Sequence, residues 1–142
     1  MSVWREVQET LLQRWTDGWV NGGNPLTPFW FQDEKAEPPN GQWARVRIDA
    51  RPGTQETLGR PGNRKIARRG AVYAMLRQPP DGASGALSDL GEFARDLFEN
   101  CRLAPHDIRF TTVQIGPMLD VDDEGRWSGV TVEAPFDYEQ LK

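Results

Sequence analysis

The sequence predicts an α+β fold: a single domain over residues 1–142, with an antiparallel sheet, two helices packed on one of its faces and a long hairpin with a basic tip. Three observations carry that prediction. Two stretches repeat apolar residues at three- and four-residue steps, the helical period; several others alternate at period two, the strand period. Their order is helix, strand, hairpin, helix, hairpin, which favours antiparallel pairing with the helices on one side. No internal repeat or long linker divides the chain, and 142 residues suffice for one domain that buries roughly two-thirds of its unfolded surface.

The first helical stretch runs from Ser2 to Thr16, with Val3, Trp4, Val7, Leu11, Leu12 and Trp15 on one side and Arg5, Glu6, Glu9 and Arg14 on the other. Ser2 fits the N-cap, and Asp17-Gly18 reads as the stop. The following residues, 21–41, are rich in glycine and proline, although Phe29 and Phe31 can share one face of an extended segment. Trp43–Ala50 alternates, with Ala44, Val46 and Ile48 facing one way and Trp43, Arg45, Arg47 and Asp49 the other.

Gln55–Leu58 and Ala71–Arg77 read as the two arms of the long hairpin. Its tip holds five cations in ten positions: Arg60, Arg64, Lys65, Arg68 and Arg69. The second arm is apolar on both faces, Val72, Ala74 and Leu76 against Ala71, Tyr73 and Met75, so it is either central in the domain or covered by a partner.

The second helix, Ser84 to Cys101, has the strongest period: Ala86, Leu87, Leu90, Phe93, Ala94, Leu97, Phe98 and Cys101 form its apolar side. Asp89, Glu92, Arg95, Asp96 and Glu99 face solvent. Gly91 costs this helix about 1 kcal/mol relative to alanine. Ile108-Arg109-Phe110 and Val113-Gln114-Ile115 alternate out of phase, which a bulge at Thr111-Thr112 would reconcile. After an acidic turn over 120–125, Val130, Val132, Ala134 and Phe136 make one face of a last strand. Pro135 places that strand near its end or at a sheet edge.

The formal charge of −4 gives no general attraction to nucleic acid, so such binding needs a local patch, and residues 60–69 are the one candidate. No segment reads as a signal peptide or a membrane span, which points to a soluble chain that starts in the cytoplasm without membrane partners. A lone Cys101 excludes an internal disulfide. Catalysis requires convergent groups with shifted pKa values, and the chain offers one histidine, His106, in a Pro-His-Asp turn that reads as exposed. Asp120, Asp122 and Glu124 with Gly125 match the opening of a calcium-binding EF-hand loop, but Thr131 stands where the bidentate glutamate belongs and the flanks read as strands. No catalytic residue, cofactor site or metal site follows, and the chain is read as a non-enzyme.

Three readings of the basic tip stand side by side: pairing with carboxylates of a partner, a solvated loop, and contact with phosphates. Among six tryptophans, Trp4 and Trp15 read as core. Trp43 and Trp127 fall on polar strand faces, where an interface and a second aromatic cluster explain them equally.

The run Glu56-Thr57-Leu58-Gly59, the basic tip, the Arg69-Gly70 return, the apolar strand 71–76, the Pro79-Pro80-Asp81-Gly82 break and the helix behind it resemble the tail-terminator family of long-tailed bacteriophages. The N-terminal helix and the closing Trp127…Val130…Pro135-Phe136 segment extend the resemblance over most of the chain. Only residues 21–41 show no family pattern. The resemblance implies a homo-oligomer, a hexameric ring that docks on the last ring of the tail tube protein, ends polymerisation and offers a surface to a head-completion or connector protein. It also implies residence at the head-proximal end of the virion tail, with assembly in the host cytoplasm. Contacts are expected from Arg60, Arg64, Lys65, Arg68, Arg69, Trp43, Tyr73 and Trp127. The near alternatives are another head-tail joining, neck or minor tail protein and, from a different class, a small nucleic-acid-binding module using the basic tip.

Overall fold

The computed structural model describes residues 2–22, 27–35, 41–55, 64–79, 84–116, 119–120 and 127–141. Helix α1 spans Val3–Asn21. Ser2 caps it, its hydroxyl accepting from the Arg5 amide at 3.2 Å. The expected stop at Asp17-Gly18 does not occur, and the helix runs past Thr16 to a cap at Gly22. Tertiary packing decides this: Leu97 lies where a Cβ of residue 18 would be, so glycine serves as a contact point within the helix instead of its end. One further turn buries Trp19, whose ring stacks on Trp15 with centroids 4.5 Å apart and whose Nε1 donates to the Thr27 carbonyl at 3.0 Å.

Strand β1, Phe29–Phe31, lies parallel to β2, Trp43–Gln55. An all-antiparallel sheet was expected; the long connection over 32–42 instead returns the chain to the same end before β2 begins. Strand β2 is continuous where the sequence suggested two segments, Trp43–Ala50 and a hairpin arm. Opposite β3, Lys65–Gln78, three steps from Arg51 to Thr54 answer two from Arg69 to Ala67. That single extra residue is a β-bulge at Pro52-Gly53, a position where a strand accommodates proline. The rest of the first arm, 56–58, lies outside the described residues, as does the tip at 59–63.

Strand β3 begins at Lys65, six residues before the expected Ala71. It pairs with β2 on one side and with β8, Ser128–Leu141, on the other, so the strand apolar on both faces is central. Helix α2, Ser84–Phe98, follows. It ends three residues short of Cys101, because Asn100 takes a left-handed φ of 56° and donates its amide to the Thr111 carbonyl at 3.2 Å. Cys101 is a partly buried free thiol beyond the helix, and Ala86, expected on the apolar side, is exposed.

Short strands β4 (Arg102–Leu103), β5 (Ile108–Phe110), β6 (Gln114–Ile115) and β7 (Leu119–Asp120) complete the sheet, whose order is β1-β2-β3-β8-β5-β4, with β6 and β7 also pairing with β8. The four steps from Phe110 to Gln114 oppose three from Phe136 to Glu133, which is the one-residue slip expected at Thr111-Thr112. Of the acidic turn, Asp120 lies in β7 and 121–126 lie outside the described residues. Pro135 is neither terminal nor on an edge strand: β8 continues to Leu141. It lies opposite the 111–113 interruption, where β8 lacks a ladder partner on that side and a missing N–H is tolerated.

Even-numbered residues of β2, β3 and β8 face both helices. Val46, Val72, Leu76, Val132 and Ala134 meet Val7, Leu11 and Trp15 of α1 and Leu87, Ala94 and Phe98 of α2 in one core. The fold is α+β with a mostly antiparallel sheet, and among the described residues no helix covers its second face.

Candidate subunit-contact surface

Odd-numbered positions of β2, β3 and β8 make the uncovered face. At one end, Trp43 and Arg77 are cross-strand partners, and Arg77 in turn pairs with Gly129. Trp127, just ahead of β8, meets Trp43 edge-on at 5.7 Å, and Trp30 of β1 meets it from the other side at 5.8 Å. Trp43 and Trp127 therefore belong to a second aromatic cluster on the outer face, and all three rings are partly buried. The Trp43 Nε1 is buried without a hydrogen-bond acceptor among the described residues. Burial also lowers the pKa of Arg77, whose guanidinium donates to the Leu76 carbonyl at 3.1 Å and makes no ion pair with a described residue.

Toward the middle, the Arg47 guanidinium carbon lies 5.0 Å from the centroid of the Tyr73 ring, and Arg51 lies 6.0 Å away. Arg51 donates to the Tyr73 hydroxyl at 2.6 Å and to Glu133 at 2.5 Å; these bonds, Glu133 first, raise its pKa. Arg45 holds the turn after β1 by donating to the carbonyls of Phe31 and Glu34, each at 3.1 Å. Sequence reasoning placed Arg45 and Arg47 on this face but assigned them no role, and it missed Trp30, Arg51 and Arg77. The alternation Trp43, Arg45, Arg47, Asp49, Arg51 was the available signal.

The basic cations do not form one patch. Arg60 lies outside the described residues. Arg64 precedes β3, while Lys65, Arg68 and Arg69 are inside it, and consecutive strand residues point to opposite faces. Arg68 turns to the helix side and donates to Gln140 at 3.2 Å; Lys65 reaches Glu139 at 3.6 Å on the outer face. The Arg69-Gly70 return is mid-strand, paired with Arg51-Ala50 and Asp137-Phe136. Across from this stretch Asp137 lies opposite Arg69 and Glu139 opposite Ala67. Nor does the basic end meet the tryptophans: Lys65 and Arg77 are 12 residues apart along β3, about 40 Å at strand rise.

His106 is not an exposed turn residue. Its Nε2 lies 2.7 Å from a Glu6 oxygen, with 20 % of its side chain exposed. The pair borders an open groove of about 700 Å³ between α1 and the 103–106 turn, where Glu9, Gln13 and Asp17 are spread along the helix. Among the described residues no group of three or more His, Cys, Asp or Glu could hold a metal ion, and no helix is long and apolar enough to cross a membrane. The described residues converge on no nucleophile with an adjacent base.

No family model matches the chain, and no curated protein matches it. The fold recurs in solved structures. One, which carries no functional description, is 18% identical with a TM-score of 0.70, over 96% of this chain and 94% of that chain. Another is a chain of the virion of a native gene transfer agent particle, 9% identical with a TM-score of 0.50, over 94% of each chain.

Proposed function

We propose that this chain is a virion structural protein that acts through surfaces instead of chemistry, and that its specific task is to cap a phage-type tail tube as a ring. The observation that carries the reading is the uncovered sheet face, where three tryptophans, Tyr73 and several arginines lie together on a two-layer domain. Aromatic residues and arginine are the types enriched where proteins meet. The whole-chain likeness to a gene transfer agent virion chain supports a virion role, and the order of elements that resembles tail terminators supports the finer one. In this role the chain ends tube growth, and the side of the ring away from the tube receives a head-completion or connector protein. The functional ring sits at the head-proximal end of the tail.

The decisive experiment is electron microscopy of tails assembled with and without this chain. Overlong tubes in its absence, together with its retention by isolated tube ends, are the expected result. Tubes of normal length that fail to join heads would move the chain to a neck component. A chain that is monomeric at every concentration and is not retained by tubes would end the ring reading. The split of the basic residues between two sheet faces weighs against a nucleic-acid module, which needs a continuous cationic track.

A further inference from the structure

The two layers of the domain carry opposite charge. On the outer side of α2, Asp89, Glu92 and Asp96 are exposed and spaced three and four apart, so they form one stripe. Asp89 and Glu92 make no hydrogen bond or ion pair with a described residue, while Asp96 pairs only with its neighbour Arg95 at 3.3 Å. Helix α2 thus presents three carboxylates and one arginine. On the outward positions of β2, β3 and β8 the excess is reversed but proportionally smaller, six arginine and lysine residues against the four carboxylates of Asp49, Glu133, Asp137 and Glu139. Arg69 is exposed there and makes no ion pair with a described residue, and Arg47, with 48% of its side chain exposed, lies over Tyr73 and pairs with Asp49 at 3.1 Å.

Dimensions agree as well as signs. Asp89 to Asp96 spans about 10 Å along a helix. Arg69 and Tyr73, the residue opposite Arg47, are four residues apart on β3, about 13 Å. Because the helices cover the other side of the sheet, the two charged surfaces point in opposite directions on one molecule. They cannot satisfy each other within a chain.

We infer that the uncovered sheet face receives the acidic α2 stripe of a second copy of this chain, head to tail, with Arg47 and Arg69 facing the stripe from Asp89 to Asp96. The inference rests on the ring reading and names the surfaces that make the ring. A head-to-tail contact joins two different patches, so every copy keeps one of each for its neighbours. Such contacts close into a ring when the rotation allows and otherwise extend as a filament, whereas a self-complementary patch would stop at a dimer. Trp43 and Tyr73 supply apolar area beside the charges, and the charges fix direction and partner.

The test is a charge swap read by sedimentation velocity. Arg47→Glu/Arg69→Glu and, separately, Asp89→Arg/Glu92→Arg should each weaken self-association more than about tenfold. An equimolar mixture of the two variants should restore it, since each then offers complementary faces to the other. Circular dichroism verifies that both remain folded. Wild-type association should also weaken as salt rises from roughly 0.05 to 0.5 M. Either variant associating like the wild type, a mixture that stays dissociated, or association indifferent to salt would overturn the inference while leaving the ring intact. A wild type that is monomeric both free and on tube ends would remove the ring reading itself.

Discussion

A Cβ at Gly70 would come 2.8 Å from the Asp49 carbonyl oxygen and 2.5 Å from the Phe136 ring, which crosses β3 at this rung. Backbone cannot move aside as a flexible side chain can. Gly70→Ala is expected to destabilise the protein by about 1–3 kcal/mol. At Gly91 the nearest atoms, on Ile115 and Val130, are 3.4–3.8 Å from an added Cβ, ordinary contact. The close approach that could have required glycine there is absent, and Gly91→Ala should stabilise by about 0.5–1 kcal/mol. Urea unfolding of the two variants checks both signs. Tyr138 adds a pH dependence. Burial raises its phenol pKa above the ordinary value of 10.0, with Arg68 opposing. Above that ordinary value the unfolded chain loses a proton that the folded chain keeps, so stability should fall with rising pH from about pH 10 upward. Tyr138→Phe should flatten that decline, as unfolding midpoints measured between about pH 9 and 11 would show.

Among the elements, α2 faces two ways. Leu87, Leu90, Ala94 and Phe98 are buried in the core, whereas Phe93 and Leu97 are partly buried and turn toward α1. There Phe93 meets Trp19 edge-on at 5.5 Å, and Arg14 donates to the Leu97 carbonyl at 2.9 Å. Burial of all three of Leu90, Phe93 and Leu97 against the sheet was the expectation from spacing alone. Phe98, 1% exposed and 5.0 Å from Phe110, is the better anchor to the strands. Phe98→Ala should cost about 3–5 kcal/mol and Phe93→Ala measurably less. Equal losses in unfolding free energy would contradict this division of the helix. The basic end of β3 gives a second expectation. Replacing Arg64, Lys65, Arg68 and Arg69 by alanine removes the Lys65–Glu139 and Arg68–Gln140 contacts of a strand, not a loop, so the melting temperature should drop, by what about 1–2 kcal/mol implies, with folding retained.

At the scale of the molecule, helices cover one sheet face, and the other carries aromatic and basic residues. Only Val20, 41% exposed, is a large exposed hydrophobe among the described residues, so the outer-face tryptophans are shielded by one another and by long arginines. Association through such a face depends on charge placement more than on bare apolar area. Self-association should therefore be lost in Arg47→Glu/Arg69→Glu at concentrations where the wild type assembles, while the unfolding midpoint changes little. Light scattering and thermal denaturation on the same samples separate the two effects.

The sequence determined the elements whose pattern is set locally. Ser2 as a cap, the alternation of Ala44, Val46 and Ile48, the helical period from Leu87 to Phe98 and the slip at Thr111-Thr112 all follow from spacing and side-chain type. Tertiary structure decided everything that depended on a neighbour far along the chain. The first helix continues past Gly18 because Leu97 packs there; Lys65–Gly70 is strand because β8 places Asp137, Glu139 and Gln140 across from it. Trp30, Trp43 and Trp127 meet because a parallel β1 and an antiparallel β8 bring them beside one end of β2. Local periodicity reports which face of an element is apolar, but it carries no record of which distant strand will supply the countercharge or the ring, and that pairing is what shapes the candidate surface.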